Sequence, residues 1–366
     1  MKKYAYNEIT VMQYIFLIHG AQVGIGVLTL PRDLANIVGT DGWMSIILGW
    51  AVSVMVSLIL TKAMSRYPEM TIIEILQLLL GKWLGKAVVF LIVLYCILAS
   101  MTVFTYAVAL INNWLLPQTP AYIVVLLFII PAHQVIQSGV RVLGRYSELV
   151  FYFTLWMPLV LLTMWRNMHW LHLLPVLREG WAPIFQGVPS TILSFVGFEL
   201  SFFLYPFLQK KQYAALGIVT ANTLSMLVYL SVTLFCFGFY SPDEITQFTW
   251  PTLGLWKIVE FRFLERVDIL FLASYMFILS TTGLPYMLFT VFTTSQLLGK
   301  QDHRKHLYIF LFLIIVVSFI YMPSFSDMQK LVKLWGKVGL VVAYAFPVVL
   351  AAAVMFIRKK PKEQEA

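Results

Sequence analysis

The sequence predicts an all-α integral membrane protein of about ten transmembrane helices, built as two inverted five-helix repeats whose first and sixth helices are broken. Three observations carry that expectation. Of 366 residues, 60% are hydrophobic and 12% charged, against roughly 25% charged in a soluble domain. The apolar residues come in long runs with polar punctuation, and a run of about 20 suffices to cross a bilayer. Two of those runs, opening each half of the chain, are interrupted by glycine and proline.

The runs fall at about 11–37, 42–62, 86–111, 120–138, 146–165, 188–208, 214–239, 268–296, 306–322 and 338–357. They give one transmembrane domain over 1–366, with a first repeat at 11–165, a second at 188–357 and a short tail at 358–366. The N-terminal MKKYAYNEIT leads straight into a long span, so insertion is expected to depend on that span. Cys96 and Cys236 sit singly in apolar runs, which points to packing and not to a disulfide or metal site.

The net charge of +9 is read as loop bias, not as a nucleic-acid surface. With the N-terminus inside, the inner segments hold Lys2, Lys3, Lys62, Arg66, Lys82, Lys86, Arg141, Arg145, Lys210, Lys211, Lys300, Arg304, Lys305, Arg358, Lys359, Lys360 and Lys362, most of the 26 lysines and arginines. The outer segments carry Asp33, Asp41, Glu179, Asp243, Glu244, Glu260, Glu265, Asp268 and Asp327 and are near neutral. The bias places both termini in the cytoplasm.

Two connections carry patterns of their own. YPEMTIIEILQLLLGKWLGK (67 to 86) reads as a helix lying in the inner interface, with Ile72, Ile75, Leu76, Leu79 and Trp83 near one face. The outer loop from Ser241 to Arg266 contains SPDEITQF, where Ser241 or Asp243 is placed to cap a short helix. A lid over an outward cavity and simple ordered packing both fit a loop of this length.

In lipid every backbone polar group needs an internal partner. Gly24, Gly26 and Pro31 weaken the first span at that depth. Alone they fit a closely packed, kinked helix. The sixth span repeats the pattern with Gly197, the intramembrane acid Glu199 and Pro206. Aligning Pro31 with Pro206 sets Gly24 opposite Glu199 and Gln22 opposite Gly197. Interrupted spans at corresponding places in two halves point to a transporter-type site at the repeat interface. The second half of a broken helix presents free amides that favour a carboxylate, and freed carbonyls on the sixth span suit an ammonium group. An α-amino acid is the expected ligand. It would be bound by Gln22, Val23, Gly24, Ile25 and Gly26 of the first span and Ser194, Val196, Gly197, Phe198 and Glu199 of the sixth.

QVGIGVLTLPRDLA (22 to 35), followed by GTDGWMSIILG, resembles the spore-germination permease family, the B subunits of bacterial nutrient germinant receptors. LHLLPVLREGWAPIFQG (171 to 187) and LERVDILFL (264 to 272) are further points of similarity, and LSFVGFE (193 to 199) is similar to the sixth span of the amino acid–polyamine–organocation superfamily. The resemblance covers nearly the whole chain. It implies a LeuT-like subunit of the spore inner membrane that recognises a nutrient, usually an amino acid, together with an A subunit and a lipoprotein C subunit. A secondary amino-acid transporter, coupled to protons or sodium, and a channel or scaffold subunit without a small ligand remain as alternatives.

Other polar residues have two readings each. Glu199 is either a ligand-responsive or protonated acid or a structural hydrogen-bonding group. The fifth span, YSELVFYFTLWMPLVLLTMW, lacks the lysine that some proton-coupled relatives carry. Ser280, Thr281 and Thr282 before Pro285 are either an oxygen site for a hard cation or hydroxyls serving a strained backbone. Thr102 and Thr105 share a face of the third span, bordering the ligand or packing helices. His19 reads as a satisfied buried histidine, and His169 and His172 as members of an aromatic belt with Trp165, Trp170 and Trp181. No nucleophile–base pair, phosphate loop, zinc signature or cofactor motif is present, so neither catalysis nor a cofactor is expected.

Overall fold

The computed structural model describes residues 7–262, 265–300, 302–321 and 323–356. Lys2, Lys3, Leu264 of the LERVDILFL motif, and the tail at 358–366 with Arg358, Lys359, Lys360 and Lys362, lie outside the described residues.

The first span is two helices, α1 (Val11–Gln22) and α2 (Gly26–Ile37), bent by 52° at the break. Thr10 starts α1 through a reciprocal capping box with Gln13. The second span is α3 (Gly42–Ser65). A short helix α4 (Ile72–Leu80), capped by Thr71 and Glu74, then runs into Gly81 at φ +80, where the chain turns into α5 (Lys82–Trp114), the third span. Ile72, Ile73, Ile75 and Leu76 are the buried face of α4. Trp83 departs from the sequence expectation: it belongs to the start of α5 and is 88% exposed, because the turn at Gly81 takes it off the α4 axis.

The fourth span is α6 (Ala121–Gln137), and the fifth is α7 (Val140–Thr154) with α8 (Trp156–Thr163). The sixth begins at Trp181, earlier than the apolar window suggested. It comprises α9 (Trp181–Ser194), a break, a 3-10 turn at Phe198–Leu200, α10 (Ser201–Leu204) and a turn at Tyr205–Phe207, with a 43° bend. The seventh is α11 (Ala214–Phe239). In the loop that follows, Ser241, not Asp243, caps the short helix α12 (Glu244–Gln247), with Ser241 and Glu244 each accepting the other's amide at 3.3 Å. The next helix, α13 (Pro251–Lys257), packs inward: Trp256 is buried and Thr252 donates to the Val27 carbonyl of α2 at 2.7 Å.

The eighth span is α14 (Val267–Leu297) and the ninth α15 (Arg304–Ile320). The tenth runs through α16 (Phe325–Gly339), a π-helical turn at Leu340–Ala345 and α17 (Phe346–Phe356). It starts well before the expected 338. The early turns carry Lys330, Lys333 and Lys337 among apolar residues, which hides them from a hydropathy window although they form one continuous span.

The protein is therefore a multi-pass membrane protein, a broken span opening each set of five. The chain before α1 closes one face: the Ile9 amide donates to Phe207 O at 2.9 Å, Gln209 donates back to Ile9 O at 3.1 Å, and Ile9 is fully buried.

Candidate functional site at the two helix breaks

The break in the first span leaves backbone groups without helical partners, and their fates divide by type. Carbonyls are taken by side chains. Tyr275 donates to Gly24 O at 2.6 Å, Tyr229 to Gln22 O at 2.7 Å, and Thr282 to Gly20 O at 2.9 Å and Val23 O at 3.4 Å. Amides fare differently: among the described residues, those of Ile25 and Gly26 have no hydrogen-bond partner, and no side chain caps α2. Two adjacent donors at a helix N-terminus form an anion-binding arrangement.

In the sixth span the carbonyls are again consumed. Ile192 O accepts from Tyr344 at 2.6 Å and Phe195 O from the Gln22 side chain at 2.8 Å, while Ser194 O lies 3.1 Å from the Tyr229 hydroxyl, whose one hydrogen it shares with Gln22 O. Two of these carbonyls, Ile192 O and Phe195 O, are thus each held by a donor of their own, because a carbonyl buried at this depth cannot wait for a ligand without cost.

The two breaks fall in a register different from the proline alignment. Gln22 matches Ser194 as the last helical residue, and Gly26 matches Phe198 as the first residue after the gap. Gly24 therefore corresponds to Val196, not to Glu199. Proline position misleads because Pro31 stands five residues past the start of α2 at Gly26, whereas Pro206 stands eight residues past Phe198.

A cavity of about 190 Å³ lies between the breaks. Gln22, Gly24, Ile25, Gly26, Ser194 and Val196 line it, and Tyr229, Thr282 and the α16 residues Val332, Trp335 and Gly336 complete it. Its rim carries Thr29, Asp33, Ser190 and Lys333, on the side away from the Ile9 closure. Trp335 also carries a buried indole Nε1 that has no hydrogen-bond partner among the described residues. Gly26 is needed small: a Cβ there would stand 3.0 Å from both Ser194 Oγ and the Tyr229 hydroxyl.

The remaining expected residues lie elsewhere. Val23 is buried and lines a separate cavity beside His19. Gly197, at φ +134, packs on the first break, where a Cβ would meet Ala21 C and Gln22 N at 2.8 Å. Phe198 is buried against Tyr344. Glu199 is buried in a small polar knot: Tyr95 and Tyr286 each donate to Oε1 at 2.6 Å and the Gly197 amide to Oε2 at 2.6 Å. These donors tie the carboxyl to α5, α14 and the break itself. Thr102 is fully buried and bonds its own helix at Leu98 O, 2.7 Å, off the cavity.

Ser280 and Thr281 part company. Ser280 turns to Tyr146 at 2.5 Å, away from the break. Thr281 bonds Ile278 O at 2.7 Å, and the hydroxyl that serves the first-span carbonyls is Thr282. His19 is satisfied by Ser225 at 3.0 Å. His169 lies just before and His172 within a 3-10 turn, His172 bonded to Tyr240 O at 3.1 Å, next to the tilted ring pair of Trp165 and Trp170. The residues that sequence reasoning missed are Tyr229, Tyr275, Asn222 and Trp335. Asn222, the lone side-chain amide within the apolar run of the seventh span, was the one legible signal; it accepts from Gln22 at 2.9 Å.

Among solved structures, the chain is similar to MhsT in complex with L-phenylalanine, with TM-score 0.60 over 94% of this chain and 97% of that one at 13% identity. That likeness shows the fold: two inverted five-helix repeats of the LeuT kind. Spore germination protein GerQB of Bacillus cereus is 25% identical over 354 residues, 94% of each chain. Spore germination protein B2 of Bacillus subtilis (strain 168) is 30% identical over 274 residues, 72% of each. The model of the family described as spore germination protein matches residues 8–326. A LeuT-like membrane protein matched over this length belongs to the spore germination permease family.

Proposed function

We propose that this chain is the nutrient-sensing membrane subunit of a germinant receptor, and that it binds the headgroup of an α-amino acid between its two helix breaks. The observation that carries the reading is the pair of unpartnered amides at Ile25 and Gly26 in the wall of a cavity lined by both breaks. A carboxylate placed there satisfies donors that otherwise remain unmet. The ammonium end meets the hydroxyls of Ser190 and Ser194, not bare carbonyls. The cavity has the room of about six waters at roughly 30 Å³ each, which suits a short side chain directed at Leu193, Val332 and Trp335. The germination roles in the names of the relatives support a place in the spore inner membrane beside an A subunit and a lipoprotein C subunit. The basic inner loops support cytoplasmic termini.

Sensing then follows from population shift. The ligand biases two conformations only by its difference in affinity for them, and the partner subunit reads the state. The test is the Gly26→Leu variant in spores, which should assemble and lose the nutrient response; a variant that assembles and responds normally would sink the site. One observation favours transport as a second reading. The chain is tied together at Ile9 and Phe207, while the cavity reaches the exposed Asp33 and Lys333, as alternating access requires of one state. Amino-acid uptake into proteoliposomes under an imposed ion gradient supports transport, and binding without flux supports sensing.

A further inference from the structure

A second and larger recess, about 270 Å³, lies between α5, α6, α7 and α14, apart from the central cavity. It exists because small residues face one another there: Ser100 and Ala107 of α5, Ala132 of α6, and Ser280 and Gly283 of α14. The remaining walls include Phe104, Phe128, Met276 and Met287. Its hydroxyls are already engaged, Tyr146 with Ser280 at 2.5 Å and Ser100 with Ile97 O at 3.0 Å. Water needs two to four polar partners to stay in such a space, and here the hydroxyl hydrogens are already engaged and the other lining side chains are apolar. An apolar void of roughly 150 Å³ accepts a benzene ring, and this recess is larger.

The position of the mouth identifies the occupant. Pro131 and Phe277 line the recess and are exposed, and both lie within the interiors of spanning helices, α6 and α14. The opening therefore faces sideways at hydrocarbon depth, continuous with the bilayer-facing surface, where aqueous solutes do not reach. We propose that this recess is a binding site for an acyl chain of a membrane phospholipid. The chain fills contacts that an empty void forfeits. It lies against the α14 turn that leads to Thr282, whose hydroxyl bonds the first-span carbonyl of Gly20.

The test uses the full-length protein in phosphatidylglycerol nanodiscs doped with a phospholipid carrying a mid-chain diazirine, photolysed and mapped by mass spectrometry. The expected result is labelling of Phe128, Met276 and Met287 above that of Phe312 and Leu313, which face lipid on α15. Ala132→Phe and Val135→Trp fill the recess from α6, and each should cut the recess labelling several-fold while leaving the α15 labelling unchanged. Two fillers are used so that one misfolded variant still leaves a comparison, with thermal unfolding as the check on each. Recess labelling no greater than that of α15, or unaltered in a folded filler variant, overturns the proposal. Labelling by a free short-chain diazirine alcohol but not by the phospholipid also overturns it.

Discussion

Gln22 donates through Nε2 to the carbonyl oxygen of Phe195 at 2.8 Å, so the last residue of α1 holds the second helix break directly. The same side chain donates to Asn222 Oδ1 at 2.9 Å and accepts from Ser225 at 2.8 Å. Both ends of a buried amide are thus in use. Gln22→Leu leaves those partners unmet, at about 1–3 kcal/mol for each buried group stranded. The expected outcome is a clearly lower melting temperature of the purified protein. Gln22→Glu should be worse, since it sets carboxyl oxygens against two acceptors. Unfolding curves superimposable on the parent's would contradict this.

Glu199 accepts from three donors on three segments, Tyr95, Tyr286 and the Gly197 amide. Tyr95→Phe and Tyr286→Phe each remove one bond, at about 1–3 kcal/mol. Because both phenols share Oε1, the two losses should be non-additive. A double-mutant cycle on thermal or denaturant stability measures this, and strict additivity would mean that the knot does not act as a unit. Glu199→Leu strands all three donors and should prevent accumulation in the membrane.

Gly197 and Gly26 should respond differently to alanine. At Gly197 the new Cβ meets backbone atoms at 2.8 Å and the φ of +134 disfavours any side chain, so Gly197→Ala should not fold. At Gly26 the neighbours are the ends of two side chains at 3.0 Å, which can yield. Gly26→Ala should therefore reach the membrane at parental levels and bind ligand more weakly. Immunoblots of membranes read the first effect and ligand titration the second.

Among the described residues six unbroken helices and the two broken pairs were legible because the bilayer imposes length and apolarity on a span, and the broken pairs because glycine and proline stand out in apolar runs. The start of the tenth span was not, since Lys330, Lys333 and Lys337 interrupt its hydropathy while its other residues line the cavity. The site itself was half legible. Gly24 and Gly26 mark where backbone is bare, but a site made of amides has no side-chain signature. Tyr229, Tyr275 and Tyr344, which decide that carbonyls are satisfied while amides stay open, look like ordinary packing residues in sequence. The register between the breaks is set by where α1 and α9 end, and the two prolines lie at different distances beyond it.

Thr282 and Ser280 separate by direction along one helix. Thr282 bonds Gly20 O at 2.9 Å, whereas Ser280 faces Tyr146. Thr282→Val keeps the shape and strands a carbonyl, so it should cost about 1–3 kcal/mol and weaken ligand binding. Ser280→Ala should leave binding unchanged. Titrations of the two variants that rank the other way would place the wrong hydroxyl at the break.

The central claim, that the open amides of Ile25 and Gly26 take a carboxylate, is tested most directly by calorimetric titration of the purified protein with short amino acids and their C-terminal amides. L-alanine against L-alaninamide is the first pair. The expected result is saturable binding of an amino acid, its loss when the carboxylate is replaced by a carboxamide, and its loss in folded Gly26→Leu protein. Equal binding of acid and amide, or undiminished binding by that variant, would contradict it.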